Sequence, residues 1–312
     1  MRVNILVLNY NGKDLLARCL PSLVRSAGCS RHACTVTVVD NASVDASSAY
    51  VRSAFPEVKL IQQSENLILC SYNKVLRDVD QEIVILLNND IEVNEDFIDH
   101  LIRPFEQDDN VFMAKPKMLN GRGVPKVGAT KAFIRWGLFW SSEHYKGFEK
   151  DLDRSGFTFS SGMGAFDRRK FLLLGGYDDM YLPGTLEDAD LCFRAWQKGW
   201  RCLYQPESVI CHMGQVSFHR RFGRRQTEII NFRNVFLFMW KNISDKTLLL
   251  QHIVFLPLWV IYMLIKRKPA FLLGFFQAVP RLSAALSRRR VSKQGVKRRD
   301  REIFAKFENS NE

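Results

Sequence analysis

The sequence predicts an α/β fold whose core is a doubly wound, mainly parallel sheet. Strand-like and helical segments alternate along the first third of the chain, the pattern of parallel strands joined by crossover helices. A cluster of polar residues follows each strand-like segment. With 312 residues, of which 46% are hydrophobic and 25% charged, the chain is large and apolar enough to bury such a core.

The elements of this first part follow from the spacing of apolar residues. Runs of β-branched and aliphatic residues predict strands, and apolar residues that recur every three or four positions predict helices. Strands are expected at residues 3–8, 35–39, 58–62 and 83–87, and helices at residues 13–26, 48–55 and 71–77. Pro21 disfavours the first helix, because proline cannot donate the helical hydrogen bond.

The strand at residues 83–87 is the most informative. Its five consecutive branched aliphatic residues suit a strand covered by helices on both faces. Asn88, Asn89 and Asp90 follow it directly, and ligands bind at this carboxyl edge of open α/β sheets. An aspartate there can place a divalent cation on a diphosphate, so we expect Asp90 to bind a metal ion.

Four polar clusters, at residues 9–12, 40–43, 66 and 88–90, each follow a strand. Because parallel strands end at one edge of a sheet, we expect the four clusters to converge. Any one of them alone is also what an ordinary turn contains. This half has no Gly-x-Gly-x-x-Gly or Walker-type loop, which disfavours a dinucleotide enzyme or a P-loop ATPase.

Residues 111–157 carry a poor secondary-structure signal. The segment has turn formers at residues 121–123 and several aromatic residues, including Trp136, Phe139 and Trp140. Two interpretations remain, a flap that faces an acceptor, or an irregular insertion whose aromatic residues fill the core. We favour the insertion.

A second ordered block begins near residue 160. It contains a short helix at residues 167–172 and a well-marked helix that starts at Glu187, with Thr185 near its cap and Gly199 after its end. Glu187 and Asp188 lie in the first turn, where the helix dipole stabilises ionised carboxylates and keeps Asp188 ready to accept a proton. The alternative is that both acids only cap the helix.

His212 follows a strand expected at residues 203–210. A single histidine is often a packing or hydrogen-bonding residue. At a strand end, however, a neutral imidazole can complete a cation site begun by Asp90.

The C-terminal third is apolar and basic. Apolar runs cover residues 232–240, 247–265 and 270–278, and residues 287–301 contain eight Lys or Arg against one acid, Asp300. This pattern suits attachment to an anionic membrane surface at the cytoplasmic leaflet, and a soluble helical lid is the competing interpretation. A nucleic-acid-binding arm would not need the apolar runs, so no nucleic acid partner is expected. Whether residues 247–265 span the bilayer or lie on it stays open.

Charge and cysteine content narrow the class further. The net charge of +12 fits nucleic acid, anionic lipid or phosphorylated substrates as partners. Seven cysteines without a C-x-x-C pair argue against a disulfide framework or a zinc site and favour a reducing compartment. A strand-like segment directly after Met1 leaves no room for a signal peptide, so we expect a cytosolic N-terminal part.

Taken together, these motifs resemble glycosyltransferase family 2, inverting nucleotide-sugar enzymes with a GT-A fold. Within the family the sequence is most similar to the rhamnosyltransferase-like branch that builds bacterial surface polysaccharides. The matching segments are residues 7–11, 39–43, 88–90, 175–179, 187–194 and 212–217.

The resemblance implies roles for nine residues and a Mg²⁺ or Mn²⁺ cofactor. These are Asp188 as catalytic base; Asn9, Asp40, Asn66 and Asn89 at the donor, with Asp40 at the nucleobase; Asp90 and His212 as metal ligands; and Glu187 and Gly162 on the acceptor side. Residues 67–73 are bulkier than the glycine-rich stretch of many members, and Asn88 replaces the first Asp of the D-x-D motif. The Q-x-x-R-W motif of processive synthases is absent, which implies one sugar per acceptor.

The expected function is therefore metal-dependent, inverting transfer of one sugar from dTDP-rhamnose or a UDP-hexose to a lipid-linked or saccharide acceptor. The expected setting is synthesis of O-antigen, cell wall or exopolysaccharide at the cytoplasmic face of a bacterial inner membrane. Two alternatives remain. One is a sugar-nucleotide nucleotidyltransferase, a class expected to have a glycine-rich, basic loop after the first strand, which residues 9–14 match poorly. The other is a non-catalytic scaffold that binds a nucleotide-sugar.

The expected organisation is a GT-A domain at residues 1–230, an apolar membrane-associating region at 231–286 and a basic tail at 287–312. The GT-A domain divides into a nucleotide-binding half, 1–110, and an acceptor and catalytic half, 111–230. A cluster of arginines at 220, 221, 224 and 225 either binds phosphate or forms a solvated basic face.

Overall fold

The computed structural model describes residues 1–213 and 222–308. The strands are β1 (Arg2–Asn9), β2 (Ala33–Asp40), β3 (Lys59–Gln62), β4 (Ile83–Asn88), β5 (Ile91–Val93), β6 (Val111–Asn120), β7 (Pro125–Val127), β8 (Lys131–Arg135), β9 (Leu138–Ser142), β10 (Gly156–Phe157), β11 (Gly164–Asp167) and β12 (Arg201–His212). The helices are α1 (Lys13–Cys29), α2 (Ser47–Ala54), α3 (Tyr72–Asp78), α4 (Phe97–Gln107), α5 (Phe148–Asp151), α6 (Arg168–Leu173), α7 (Glu187–Gln197), α8 (Arg224–Asn242), α9 (Lys246–Ile265), α10 (Ala270–Ala278), α11 (Leu282–Ser292) and α12 (Asp300–Glu308).

The main sheet has the strand order β10-β12-β6-β11-β4-β1-β2-β3. Strands β4, β1, β2 and β3 run parallel, as do β6 and β12, whereas β11 runs antiparallel between β4 and β6. The predicted mainly parallel α/β sheet is confirmed. Strands β8 and β9 form a separate antiparallel hairpin.

Strand β4 is covered on both faces, as its apolar run predicts. Ile85 and Leu87 pack in one layer with α1 and α4, and Val84 and Leu86 pack in the other with α3 and α7. All four are at most 1% exposed. This double burial holds the polar end of β4 at a fixed place on the sheet edge.

Helix α1 continues through Pro21, against the local expectation. Leu16, Leu20 and Leu23 on one side of the helix are fully buried in the layer beneath the sheet, while Pro21 lies on the exposed side. Burial of three leucines contributes more than the roughly 3 kcal/mol that an interior proline costs.

The segment from residue 111 to 157 is more regular than its sequence indicates. It supplies β6, the central partner of β12, and the β8–β9 hairpin. Phe139 is buried as the favoured interpretation requires, but Trp136 and Trp140 are 55% and 37% exposed. Those two tryptophans do not fill the core, and the hairpin forms one wall of a cavity described below.

The C-terminal helices pack back on the α/β domain. Phe304 and Phe307 of α12 are buried against Phe159, and Asp300 accepts hydrogen bonds from the backbone N–H groups of Ser244 and Asp245. The last described part of the basic segment 287–312 is therefore an integral part of the fold. Its buried aromatic residues and the carboxylate of Asp300 hold it there.

Two helical segments, Lys246–Ile265 and Ala270–Ser292, are long and apolar enough to cross a membrane by length and composition. Core helices of soluble proteins pass the same test, but only 17% of the apolar window in the first segment is buried.

Candidate active site

A ring of amides and carboxylates lies at the carboxyl ends of β1, β2 and β4. The parallel register sets Asn9 opposite Asp40, and the side-chain N–H group of Asn9 donates to Asp40 Oδ1 at 3.0 Å. The side-chain carbonyl of Asn9 in turn accepts a hydrogen bond from Asn89 Nδ2 at 2.7 Å. Asn9 and Asp40 are at most 1% exposed, so these bonds satisfy groups that water does not reach.

The third cluster joins the same edge through Asn66. Asn41 Nδ2 donates to Asn66 Oδ1 at 3.2 Å and to the carbonyl of Ile68 at 3.3 Å. The predicted convergence of all four polar clusters is therefore confirmed. The rule that parallel strands end at one edge was enough to predict it.

Gly12 lies directly over the Asn9–Asn89 pair. A Cβ atom at this position would lie 2.2 Å from Asn89 Nδ2 and 2.7 Å from Asn9 Oδ1. Only glycine permits this close approach, so the turn after β1 and the amide pair fix each other.

Asp90 and His212 lie together because β5 pairs antiparallel with the end of β12. Ile91 is opposite His212, and the backbone N–H of Met213 donates to the carbonyl of Asp90 at 2.8 Å. His212 Nε2 is 3.2 Å from Asp90 Oδ2. The structure thus places the two predicted metal ligands side by side.

Two atoms of this pair are buried without a hydrogen-bond partner, namely Asp90 Oδ1 and His212 Nδ1. A buried carboxylate oxygen without a partner is costly, and such an atom in a native fold calls for an explanation. A carboxylate oxygen and an imidazole nitrogen are a donor set that suits a divalent cation. In the described residues, no group of three His, Cys, Asp or Glu side chains could hold a metal ion by itself. A bound diphosphate or water can supply further ligands.

Asp188 lines a cavity of about 340 Å³. Most of the surrounding side chains are polar, and the sequence pattern singled out none of them: Thr130, Ser141, Ser142, Glu143, His144 and Ser160. Gly162 adjoins this cavity, because a Cβ atom built on it would lie 4.0 Å from Asp188 Oδ2. The absence of a side chain there leaves the carboxylate accessible.

The cavity lies beside the edge that carries Asp90. Strand β11 pairs antiparallel with β4, with Gly164 opposite Leu86, and a Cβ atom built on Gly162 would lie 3.8 Å from Leu69 Cδ1. Leu69 follows Ile68, whose carbonyl accepts from Asn41, so Gly162 and the carboxylate of Asp188 lie next to the turn that completes the amide ring. No hydrogen bond within residues 1–213 and 222–308 joins Asp188 directly to Asp90 or His212, so the two acids are separate groups.

Burial raises the pKa of Asp188 above its ordinary value, although part of the residue stays open to the cavity. The N–H of Ala189 and the ammonium of Lys115 lower this pKa, and the carboxylate of Glu143 raises it. The N–H groups of the first turn stabilise the ionised form as expected, but desolvation is the larger effect. A raised pKa makes Asp188 a stronger proton acceptor.

Lys115 and Glu143 form an ion pair beside Asp188. The Lys115 side chain is 2% exposed, and its ammonium lies 2.7 Å from Glu143 Oε1 and 2.7 Å from Thr130 Oγ1. Lys115 comes from β6 and Glu143 from the end of the β8–β9 hairpin. These two charges set the potential at the cavity.

Glu187 lies away from this cavity. It is 7% exposed, its Oε2 atom has no hydrogen-bond partner, and it lies near Cys70 in the turn after β3. Burial, together with the negative charge of Asp188, raises the pKa of Glu187 to about 8. Glu187 is therefore mainly uncharged at neutral pH, and it is not among the residues that line the cavity of Asp188.

The loop before α7 is held in an unusual conformation. Thr185 and Leu186 have φ angles of +72° and +66°, and Leu186, not Thr185, occupies the position before the helix. The side-chain N–H group of Asn234 donates to the carbonyls of Gly184 and Thr185 at 2.7 and 2.8 Å. Helix α8 thereby fixes the backbone that carries Asp188, a role that no local sequence signal indicated.

Asp190 anchors the same helix from inside. Burial alone would raise its pKa, but Arg194 and Lys241 hold that pKa well below the usual range. Lys241 Nζ lies 2.6 Å from Asp190 Oδ1, and Arg194 Nε lies 2.8 Å from Oδ2. The acid at position 190 thus has a structural role distinct from that of Asp188.

Part of the predicted basic and motif region lies outside the described residues. This applies to Arg220, Arg221 and residues 214–217. Arg224 and Arg225 are exposed at the start of α8.

The doubly wound sheet thus gathers amides and an Asp–His pair at its carboxyl edge, and a carboxylate lies in a polar cavity nearby. Comparison with known families is more specific. The family described as Glycosyl transferase family 2 matches residues 4–173, which is more than half of the chain. The protein belongs to this family.

Curated relatives and solved structures agree with this class. The chain is 25% identical over 140 residues to a putative polypeptide N-acetylgalactosaminyltransferase 10 of Drosophila melanogaster, covering 43% of this chain and 22% of the relative. It is also 25% identical over 183 residues to N-acetylgalactosaminyltransferase 7 of that organism, covering 54% of this chain and 31% of the relative. The chain thus spans less than a third of either relative.

Two solved structures share the fold over almost the whole chain. A mannosyltransferase from Pyrobaculum calidifontis, in complex with GDP-Man and Mn²⁺, has a TM-score of 0.54 at 17% identity and covers 93% of this chain and 86% of that one. S. aureus TarS in complex with UDP-GlcNAc has a TM-score of 0.57 at 15% identity, with 99% and 91% covered. At these identities the likeness shows the GT-A fold.

Proposed function

We propose that this glycosyltransferase transfers one sugar, with inversion and with the help of a divalent cation, to a saccharide hydroxyl group. One observation carries the proposal. Asp90 and His212 keep buried atoms without a hydrogen-bond partner at the edge of the sheet, and the carboxylate of Asp188 lines a polar cavity beside Gly162. Asp90 and His212 suit the donor diphosphate, and Asp188 suits the acceptor.

On the donor side, Asp90 and His212 would hold Mg²⁺ or Mn²⁺. When bound, the cation supplies positive charge to the leaving diphosphate. The mannosyltransferase structure that contains GDP-Man and Mn²⁺ supports this assignment. Asp40 is 1% exposed and already accepts hydrogen bonds from Asn9 and Ser43, so it would shape the nucleobase pocket through these residues. Asn66 and Asn89 would complete the pocket around the nucleotide.

On the acceptor side, Asp188 takes the proton of the attacking hydroxyl group. A bond then forms between the acceptor oxygen and the anomeric carbon as the bond from that carbon to the phosphate oxygen breaks, and the electron pair leaves with the nucleoside diphosphate. A single displacement of this kind inverts the anomeric centre, as in one-step glycoside chemistry. General base catalysis typically contributes about 10²–10⁴ in rate.

The lining of the cavity favours a sugar as the group that enters it. Hydroxyl groups from Thr130, Ser141, Ser142 and Ser160 surround Asp188, and Glu143 adds a second carboxylate. Sugar hydroxyls both donate and accept hydrogen bonds, whereas a phosphate would be repelled by two carboxylates. A saccharide acceptor, free or linked to a lipid, therefore fits better than a phosphate.

The finer assignment follows the family resemblance. It comprises a rhamnosyltransferase-like enzyme with dTDP-rhamnose or a UDP-hexose as donor, acting in bacterial surface polysaccharide synthesis at the cytoplasmic face of the inner membrane. It also comprises the division into residues 1–230, 231–286 and 287–312. The TarS complex with UDP-GlcNAc supports a UDP-sugar among these donors.

A donor panel tests the proposal. Purified protein is incubated with UDP-, dTDP- and GDP-sugars, with Mn²⁺ or with a chelator, and the products are separated by mass. Metal-dependent release of a nucleoside diphosphate with transfer or loss of the sugar is the expected result. Exchange that depends on pyrophosphate would identify a nucleotidyltransferase instead, and binding without turnover of any donor would identify a scaffold.

A further inference from the structure

A wide apolar surface lies on the outer side of α9 and continues onto α10. Ile253, Val254, Leu258, Ile261 and Ile265 on α9 are each more than half exposed, and Phe276 on α10 is 65% exposed. Soluble monomers rarely leave so many large apolar side chains contiguous and open to water. The apolar surface is therefore expected to bind a partner.

The positive charges around the apolar surface indicate which kind of partner covers it. Residues 246–292 contain eight Lys or Arg and no Asp or Glu. Lys266, Arg267 and Lys268 are exposed directly after the last turn of α9. An anionic bilayer offers acyl chains to the apolar side chains and phosphate groups to the cations, whereas a second copy of this chain would bring like charges together.

The inner side of α9 is bound to the protein along its length. His252 Nδ1 lies 2.7 Å from the carbonyl of Gly137, and Trp259 Nε1 donates to the carbonyl of Trp136 at 2.8 Å. Met263, near the end of the helix, is 6% exposed. These contacts extend over most of a helix of about 30 Å, so one whole side of α9 is covered by the turn of the β8–β9 hairpin and by neighbouring helices. A helix that crosses a bilayer alone would have to lose these contacts.

Tryptophans flank the apolar surface at the hairpin turn. Trp136 and Trp140 are partly exposed, and their rings lie 5.8 and 6.1 Å from the ring of Trp259. The guanidinium of Arg135 lies 4.9 Å from the centre of the Trp136 ring. Tryptophan and arginine together are typical of the headgroup region of a membrane.

We propose that α9 and the adjoining part of α10 lie in the plane of an anionic bilayer without crossing it, with the β8–β9 turn at the headgroups. The outer apolar side chains would enter the boundary between headgroups and acyl chains. Strand β9 leads from this turn to Ser141 and Ser142 at the cavity of Asp188. The five residues of β9 span at most about 17 Å, which limits the distance from the membrane surface to the reacting hydroxyl group.

The inference deepens the proposed function. Its biological purpose, access to a lipid-linked acceptor, rests on that function, whereas membrane binding itself can be tested without it. Flotation of the full-length protein tests it directly, with vesicles of phosphatidylcholine alone and with added phosphatidylglycerol. We expect binding to the anionic vesicles and at least tenfold weaker binding of the double variant Ile253→Glu/Ile261→Glu. The control Leu173→Glu changes a 67% exposed leucine on α6 and should leave binding unchanged.

A labelling experiment separates a helix on the surface from one that spans. The Arg267→Cys variant, in a Cys29→Ser background that removes an exposed native thiol, is bound to intact vesicles and treated with a membrane-impermeant maleimide. The inference requires labelling without detergent. Labelling only after detergent would show a spanning segment and overturn it.

Two further outcomes would also overturn the inference. One is equal binding of wild type and the Ile253→Glu/Ile261→Glu variant to anionic vesicles. The other is no vesicle binding together with a stable dimer in sedimentation that this variant abolishes, which would make the apolar surface a self-association interface. Donor turnover in solution does not depend on either result, so the proposed function would stand in both cases.

Discussion

The imidazole of His212 lies 3.2 Å from the carboxylate of Asp90, although the two residues are far apart in the sequence. The pairing of β5 with the end of β12 brings them together, and both retain a buried atom without a hydrogen-bond partner. This relationship identifies the part of the sheet edge where a cation would be bound, and it yields the first prediction.

Removal of either member of the Asp90–His212 pair should weaken metal binding. We expect Asp90→Asn and His212→Gln to reduce Mn²⁺ affinity in the presence of a nucleoside diphosphate by at least about 10- to 100-fold, the loss seen when only a supporting partner of a metal ligand is removed. Isothermal titration calorimetry measures this. His100→Gln, a change on the outside of α4, is the control, and equal affinities in all variants would exclude the pair as a metal site.

The two members of the Lys115–Glu143 ion pair should shift the pKa of Asp188 in opposite directions. Lys115 lowers and Glu143 raises the pKa of Asp188, so Lys115→Met should move the acidic limb of the pH–rate profile to higher pH, and Glu143→Gln should move it to lower pH. Profiles of kcat against pH for both variants check the prediction. Shifts in the same direction, or none, would show that neither charge acts on Asp188.

Buried Glu187 should make the stability of the protein depend on pH. Its folded-state pKa of about 8 lies above the unfolded value of 4.5, so the folded state favours the protonated form and loses stability as the pH rises from 4.5 to 8. Glu187→Gln removes this loss, and above pH 8 the variant should be more stable than wild type by an amount on the order of 5 kcal/mol. Urea unfolding across this pH range measures the difference. A gap that does not change with pH, as expected for the exposed control Glu149→Gln, would contradict the assignment.

Gly12→Ala should disturb the donor pocket without straining the backbone. The new methyl group would clash with the Asn9–Asn89 amide pair, so donor affinity should fall by about tenfold, the equivalent of one lost hydrogen bond. Gly28→Ala is the matched control, because no atom lies within 4 Å of a Cβ there and alanine favours the helix. Isothermal titration calorimetry measures the affinity of each variant for a nucleoside diphosphate. Equal affinities would show that the amide pair does not shape the pocket.

The sequence was most informative where a local pattern has one structural meaning. The aliphatic run that ends at Asn88 implied a strand buried on both faces, and the parallel-sheet rule then predicted that Asn9, Asp40 and Asn66 would meet it. Both inferences depend only on neighbouring residues and on general topology.

The sequence was least informative where distant residues decide a conformation. Asn234 holds the left-handed backbone at Thr185 and Leu186, and Lys115 reaches the cavity from a strand whose pattern indicated no role. Because the spacing of apolar residues reports burial and not partners, neither contact was predictable. The same holds for Phe304, which lies in a basic segment yet packs in the core.

The most direct test of the account compares wild type with Asp188→Asn in Mn²⁺-dependent donor binding and in sugar transfer. We expect the variant to bind the Mn²⁺–nucleotide complex within about twofold of wild type and to transfer sugar about 10²–10⁴ times more slowly. Transfer at the wild-type rate by the variant would contradict the central claim that Asp188 accepts the proton of the attacking hydroxyl group.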